Sequence, residues 1–402
     1  MFINDIIDII VSVNQFKKKI DFTILLDDLP NAFVNEENKL FISTGLLKYA
    51  GSYEALLGVL AHEIGHLEKF HIFKRVDSIK KLDKLNKLSN LTIIAGSLVS
   101  NRGDILAESL ITNQFGIQNY MLSFSRNQER EADYYAIETL NKLKLSTSPL
   151  VKFLNLLEKK SIQKGMTNEF YKFSTHPIYE ERYNIITNTK SEKKNNFNEE
   201  LSSRFKFIQA KLFGFTTDDE NNLNDYLNKD FQIYAESIIL SKKSKLKESL
   251  KLLNHFIKKN PNNFFLYETK GDILYAGGYS KEAILFYNKS NQKNLNNIYV
   301  KKRVFDIKFS LIEKDNINDS LNLFNEYVFL IELYSNDTHL KNKYKKLAIS
   351  AKKYDWVEYL TIEERYFNKE IEKKNFFQLI NLIKNKTKDL NLINLINKHI
   401  RK

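Results

Sequence analysis

Apolar residues recur with helical period over most of the chain, and only near the N-terminus does the pattern turn strand-like. The spacing predicts a short amphipathic helix over residues 1–14, with Ile6, Ile7, Ile10 and Val11 on one side. Two β-rich runs follow, 21–27 and 39–44, separated by Pro30 and the polar turn Asn35-Glu36-Glu37-Asn38; they predict a small antiparallel sheet. Residues 54–70 are a dense apolar-periodic run and read as a helix. A charged segment, 74–87, leads into the uncharged run 91–99 and a stretch through Gly116, where the pattern favours a packed helix with a loosely ordered connection over a mobile flap. Another helix is expected from Ser125 through Ile137 and Leu140, and one more after Pro177, a residue at home in a first helical turn.

Residues 189–200 read as a linker and 201–215 as a connecting helix. Beyond them Tyr267, Gly271, Ala283 and Tyr287 fall at tetratricopeptide-like (TPR-like) spacing, and Pro261 lies one repeat length before Leu295. Residues 247–259 resemble the second helix of a preceding repeat, and past 297 the pattern degrades into helical pairs that include the stretch around Trp356. The expected organisation is 1–188, 189–230 for linker and connecting helix, and 231–402 for helical repeats, a mostly α (α+β) molecule. Such repeats offer a concave surface to partners; the plainer alternative is a helical appendage that buries only its own core.

Composition changes this picture little. At 402 residues with 43% hydrophobic content, the chain can fill two or three cores, and only 4 Pro and 12 Gly agree with helix. A formal charge of +13 raises nucleic acid as a partner, but the lysines are spread through the whole sequence with Asn and Ile and accompany no recognition motif, so none is expected. Cysteine is absent, so a metal would be held by His and carboxylates. The N-terminus carries Asp5 and Asp8 without a basic region or cleavage site and is not read as a signal peptide. The longest uncharged run is too short to span a bilayer, so the expectation is a soluble or membrane-peripheral chain.

Candidate chemistry gathers in three segments. His62-Glu63-Ile64-Gly65-His66 is an H-E-x-x-H pattern inside the 54–70 helix, which places both imidazoles one turn apart on one face, with Glu63 beside them. With seven His in the chain, chance seldom supplies that pattern. Gly65 is costly in mid-helix and points to something packed against the backbone there. In the helix after Ser125, Glu129 and Asp133 share a face, so that one carboxylate can bind a metal while the other accepts a hydrogen bond from a ligand histidine. His176, on the loop entering the helix that carries Arg182, marks a candidate second wall.

Taken together these segments resemble the metallopeptidase family that includes CAAX prenyl endopeptidase, HtpX and the mitochondrial Oma-type protease. The likeness covers residues 30–189 and rests on Asn31-Ala32-Phe33, Gly45-Leu46-Leu47, His62-Glu63-Ile64-Gly65-His66, Ser125-Arg126 with Glu129, Glu131, Ala132 and Asp133, and Thr175-His176-Pro177 with Arg182. The chain departs from the family's usual glycine pair at 35–38 and lacks the membrane helices of the HtpX and prenyl-protease branches. It is therefore more similar to soluble bacterial members of the BepA type, which are periplasmic and carry a C-terminal helical repeat domain.

The resemblance implies a zincin-like (gluzincin) fold and one Zn2+ per chain held by His62, His66 and Glu129. It also implies Glu63 as general base, Asp133 behind the ligands, and His176 and Arg182 facing the cleft, where they meet the oxyanion or, in a latent form, help occlude the metal. The implied function is a zinc-dependent endopeptidase of envelope quality control, periplasmic or membrane-peripheral. Its partners would be protein substrates and, through the repeats, outer-membrane assembly or other envelope proteins. The alternative is a chaperone-like or scaffold protein with a latent metal site.

Overall fold

The computed structural model describes residues 2–74, 124–163, 180–188, 197–217, 223–295, 297–312 and 316–400. They divide into two compact units, Met1–Ile239 and Leu240–Lys402. The run 91–99, most of the linker and His176 lie outside the described residues. Among the described residues no helix is long and apolar enough to cross a membrane.

The first unit opens with helix α1, Phe2–Asn14, which buries the stripe Phe2, Ile3, Ile6, Ile7 and Ile10. Strands β1 (Asp21–Leu25), β2 (Ala32–Val34) and β3 (Lys39–Ser43) form one sheet in the order β1-β3-β2. The sheet is mixed, not purely antiparallel as expected: β1 pairs β3 in parallel, and only β2 runs antiparallel to β3. The cause is a three-residue strand hidden between Pro30 and the polar turn. Ala32–Val34 makes the hairpin with β3, its turn closed by Asn35 Oδ1, which accepts from the Glu37 and Lys39 amides at 3.1 and 2.9 Å. β1 is left the opposite edge of β3. The chain reaches β2 from it by rounding the end of β3, where the Ser43 hydroxyl donates to the Leu29 carbonyl at 2.7 Å and the Thr44 hydroxyl to that of Asp27 at 2.9 Å.

Ser43 also caps α2 (Thr44–Tyr49), and Ser52 caps α3 (Tyr53–Glu68), accepting from the Ala55 amide at 3.3 Å. Fourteen of the 16 residues of α3 are buried. A helix enclosed on every side is the core of its domain, not a surface element with one apolar stripe. Helix α4 (Arg126–Lys142) starts with a capping box in which Ser125 and Gln128 satisfy each other's backbone amides. It packs directly on α3 at Gly65: a Cβ there would lie 3.0 Å from the Tyr135 Cβ and 3.3 Å from the Ala132 Cα. The glycine thus admits the second helix to the backbone of the first, as its mid-helix position implied.

Helices α5 (Ser148–Gln163) and α6 (Glu180–Asn188) complete the wall around α3 and α4. The connecting helix, α7 (Glu199–Thr216), belongs to this unit: Phe205 stacks on Phe2 at 5.8 Å, and Gln209 donates to the Lys48 carbonyl at 3.0 Å. The division between units falls within α8 (Lys229–Lys242).

The second unit is helical throughout its described residues: α9 (Leu246–Lys259), α10 (Phe264–Ala276), α11 (Ser280–Lys293), α12 (Ile298–Leu311), α13 (Ile317–Tyr327), α14 (Phe329–Leu333), α15 (Thr338–Ser350), α16 (Tyr354–Phe367), α17 (Lys373–Lys386) and α18 (Leu390–Ile400). Asn263, Asn297, Asn316 and Asp337 cap α10, α12, α13 and α15 through their side chains, so part of the chain's Asn content does local structural work. In the α10–α11 hairpin Gly271 faces the Tyr287 ring so closely that a Cβ would meet its Cε1 at 2.6 Å, and Ala283 is fully buried beside them.

Candidate metal centre

Helical pitch and the Gly65 contact together bring the ligating atoms to one point. His62 and His66 project from the same face of α3, and their Nε2 atoms stand 3.1 Å apart. From α4, Glu129 offers Oε2 at 3.4 Å from His62 Nε2 and Oε1 at 3.5 Å from His66 Nε2. All three side chains are buried, and their candidate ligand atoms lie within 4.8 Å of one another. Zinc bound by imidazole nitrogen and carboxylate oxygen at about 2.0–2.2 Å in tetrahedral geometry separates its ligand atoms by roughly 3.3–3.5 Å. The observed edges fit a zinc ion with little movement. The donor set, two neutral imidazoles and one carboxylate, is that of a catalytic site which keeps a fourth position open.

Behind the ligands lies a buried ionic network. Asp133 Oδ1 is 2.9 Å from His62 Nδ1, which orients the ring with Nε2 toward the cluster. Arg182, only 6% exposed, grips the same carboxylate with two nitrogens, Nε to Oδ2 and Nη2 to Oδ1, both at 2.7 Å. Its Nη1 stands 3.1 Å from Glu129 Oε2. Burial works to raise the Asp133 carboxyl, but the Arg182 charge and the His62 hydrogen bond outweigh it and hold the group below the usual carboxylate value. Arg182 was expected to face the cleft and meet an oxyanion. In the structure its guanidinium is paired with two carboxylates, Asp133 and the candidate ligand Glu129. Glu63, on α3 with the two histidines, is 2% exposed and near enough for its charge to act on Arg182.

Sequence reasoning missed His71 and gave Glu131 no role beyond its place in the motif. His71 is fully buried, its Nδ1 3.1 Å from His66 Nδ1 and its Nε2 2.8 Å from Glu131 Oε2. The signal available was a further histidine five residues past His66, but helical spacing does not connect the two, because α3 has ended before residue 71. Phe124 was missed as well; its ring stacks on His66 at 3.9 Å.

Comparison with known proteins agrees with this geometry. Residues 3–190 match the model of Peptidase family M48. The chain is similar to the Beta-barrel assembly-enhancing protease of Yersinia pestis, 24% identical over 314 residues that cover 73% of this chain and 64% of that relative. It thus spans less than two thirds of that relative's length. Similarity to the Escherichia coli (strain K12) protein of the same name is 22% over 367 residues, covering 85% of this chain and 72% of the relative. Similarity to the Mitochondrial metalloendopeptidase OMA1 of Schizosaccharomyces pombe is 25% over 187 residues, covering 46% and 51% of the two chains. The His62–His66–Glu129 cluster lies inside residues 3–190, the stretch that matches Peptidase family M48.

Proposed function

We propose that this chain is a zinc-dependent endopeptidase of protein quality control in the bacterial envelope. The observation that carries the proposal is the convergence of two buried imidazole nitrogens and one carboxylate from two helices that the Gly65 contact holds together. His62, His66 and Glu129 hold the ion. Zinc supplies a Lewis acid for a peptide carbonyl and lowers the pKa of a coordinated water toward about 7. Glu63 takes the proton of the attacking water and returns it to the departing amide nitrogen. Asp133 fixes the His62 ring, and Arg182 holds both Asp133 and Glu129 in place. His176 is the proposed donor to the developing oxyanion. β2, an edge strand lying against α3, offers its backbone to an extended substrate, which would add to the sheet as a further strand.

The relatives named beta-barrel assembly-enhancing proteases direct the rest of the proposal. It places the chain in the periplasm or at the membrane periphery. The helices of residues 231–402 act as TPR-like repeats that receive protein substrates or outer-membrane assembly partners.

The test is cleavage of casein by the full chain with one zinc bound, wild type against Glu63→Gln. The wild type should cleave, chelation should stop it and added zinc restore it, while Glu63→Gln keeps its zinc and loses turnover. Full activity of Glu63→Gln would remove Glu63 from the reaction. A zinc-loaded wild type that cleaves nothing but keeps unfolded protein from aggregating would favour the chaperone-like reading.

A further inference from the structure

We propose that His71 and Glu131 form an outer relay which fixes the His66 ring with its Nε2 lone pair toward the zinc, and so set the site's affinity for the ion. The proposal rests on the zinc reading above and concerns residues on which that reading makes no demand.

The proton positions follow from the surface inward. Glu131 Oε2 is 2.8 Å from His71 Nε2 and, as a carboxylate, can only accept, so neutral His71 carries its proton on Nε2. Its Nδ1 is then an acceptor. That atom faces His66 Nδ1 at 3.1 Å, where both rings are fully buried and two bare lone pairs would repel. His66 Nδ1 therefore carries the donated proton, and the lone pair is left on His66 Nε2. This is the nitrogen directed at His62 Nε2 and Glu129. The Phe124 ring stacked on His66 holds the plane of the imidazole in which this alignment works.

The backbone around His71 is bent to make the contact. Had α3 continued, five residues of helix would carry residue 71 about 140° round the axis from His66. Instead α3 closes with the Lys69 amide on the Gly65 carbonyl, and Phe70 takes a positive φ of 56°. A bulky aromatic residue adopts that left-handed conformation only where the surroundings impose it, and here it turns His71 back beneath His66.

Helix α4 completes the symmetry. It supplies the ligand Glu129 and one further carboxylate for each ligand histidine. Asp133 reaches His62 directly, and Glu131 reaches His66 through His71. The first of these carboxylates is buried, whereas the Glu131 side chain is 53% exposed. The relay thus runs from solvent to the metal position.

The zinc dissociation constant of the full chain, measured by competition with a chromophoric chelator, tests this directly. His71→Ala should weaken zinc binding about 10- to 100-fold, the range seen when the outer partner of a ligand histidine is lost. Glu131→Ala should weaken it less, and His71→Asn, whose side-chain oxygen can still accept from His66 Nδ1, should recover part of the loss. In 15N spectra of the metal-free protein His66 should carry its proton on Nδ1, and His71→Ala should shift it toward the tautomer mixture of a free imidazole. If that variant fails to fold, the exposed Glu131 decides alone. Folded variants that bind zinc as the wild type does, with an unchanged His66 signature, overturn the relay and leave the zinc site standing. A wild type that binds no zinc overturns both.

Discussion

The two units solve the problem of a protein interior in opposite ways. The first encloses charge: Arg182, Asp133, Glu129 and Glu63 are each no more than 6% exposed and surround two histidines in the middle of the domain. The second encloses rings. Phe305 stacks on Tyr344 at 4.6 Å, Phe324 meets Trp356 edge-on at 5.2 Å, and Tyr366 stacks on Phe376 at 4.4 Å. Its buried carboxylates, Glu268 and Glu363, are each tethered to a partner, Asn297 at 2.8 Å and Lys341 at 2.8 Å. An aromatic interior tolerates sequence drift as long as volume is kept, while a buried ionic network fails when one member is lost. A metal centre needs the ionic kind of interior, and a stack of helices can use the aromatic kind.

Removing Arg182 should break this contrast most sharply. Arg182→Leu leaves Asp133 and Glu129 buried without the cation that faces them, a loss of about 3–5 kcal/mol in metal-free protein. The single tryptophan, Trp356, belongs to the second unit, so its fluorescence follows that unit while hydrogen exchange of the α3 amides follows the first. The variant should lose α3 protection in urea with the Trp356 transition unmoved. An equal shift of both would mean that the two units unfold as one.

A matched pair of glycine substitutions sharpens the comparison at lower cost. Gly65→Ala and Gly271→Ala each push a methyl into a helix contact, against Tyr135 and Ala132 in one case and the Tyr287 ring in the other. Each should destabilise its own unit by about 1–3 kcal/mol. Only Gly65→Ala should also weaken zinc binding, because only there does the displaced helix carry a ligand. A wild-type zinc dissociation constant in Gly65→Ala would show that the α3–α4 approach does not set the metal geometry.

What the sequence revealed follows the same division. Residues related by helical pitch were legible: the His62–His66 pair, the Glu129–Asp133 pair and the glycine that admits one helix to the other all depend on a period that local sequence fixes. Contacts that depend on where the chain turns were not. His71 escaped because a left-handed Phe70 ends the periodicity before it. The grip of Arg182 on Asp133 and Glu129 was not legible, because periodicity gives the side of a helix but not what stands opposite. The parallel β1–β3 pairing was hidden by Ala32–Val34, too short a strand to read between Pro30 and a polar turn. The asparagines that cap the second unit's helices looked like compositional bias, because capping is decided by where a helix starts and not by how many asparagines there are.

The smallest expected effect is an acid sensitivity in the second unit. Burial alone would raise the Asp389 carboxyl, but Lys353 Nζ at 2.8 Å and the Trp356 indole N–H at 2.9 Å favour its charged form and hold it below the ordinary value. The folded state therefore binds the proton more weakly than the unfolded chain does. The stabilisation from these contacts is complete above the unfolded value of about 3.9 and is lost as pH falls through the folded value beneath it. Asp389→Asn, which cannot ionise, should lower the thermal midpoint at pH 7, and the gap to wild type should close as the pH is brought below the usual carboxylate range. If the gap stays constant, the charge on Asp389 contributes nothing to the stability of the second unit.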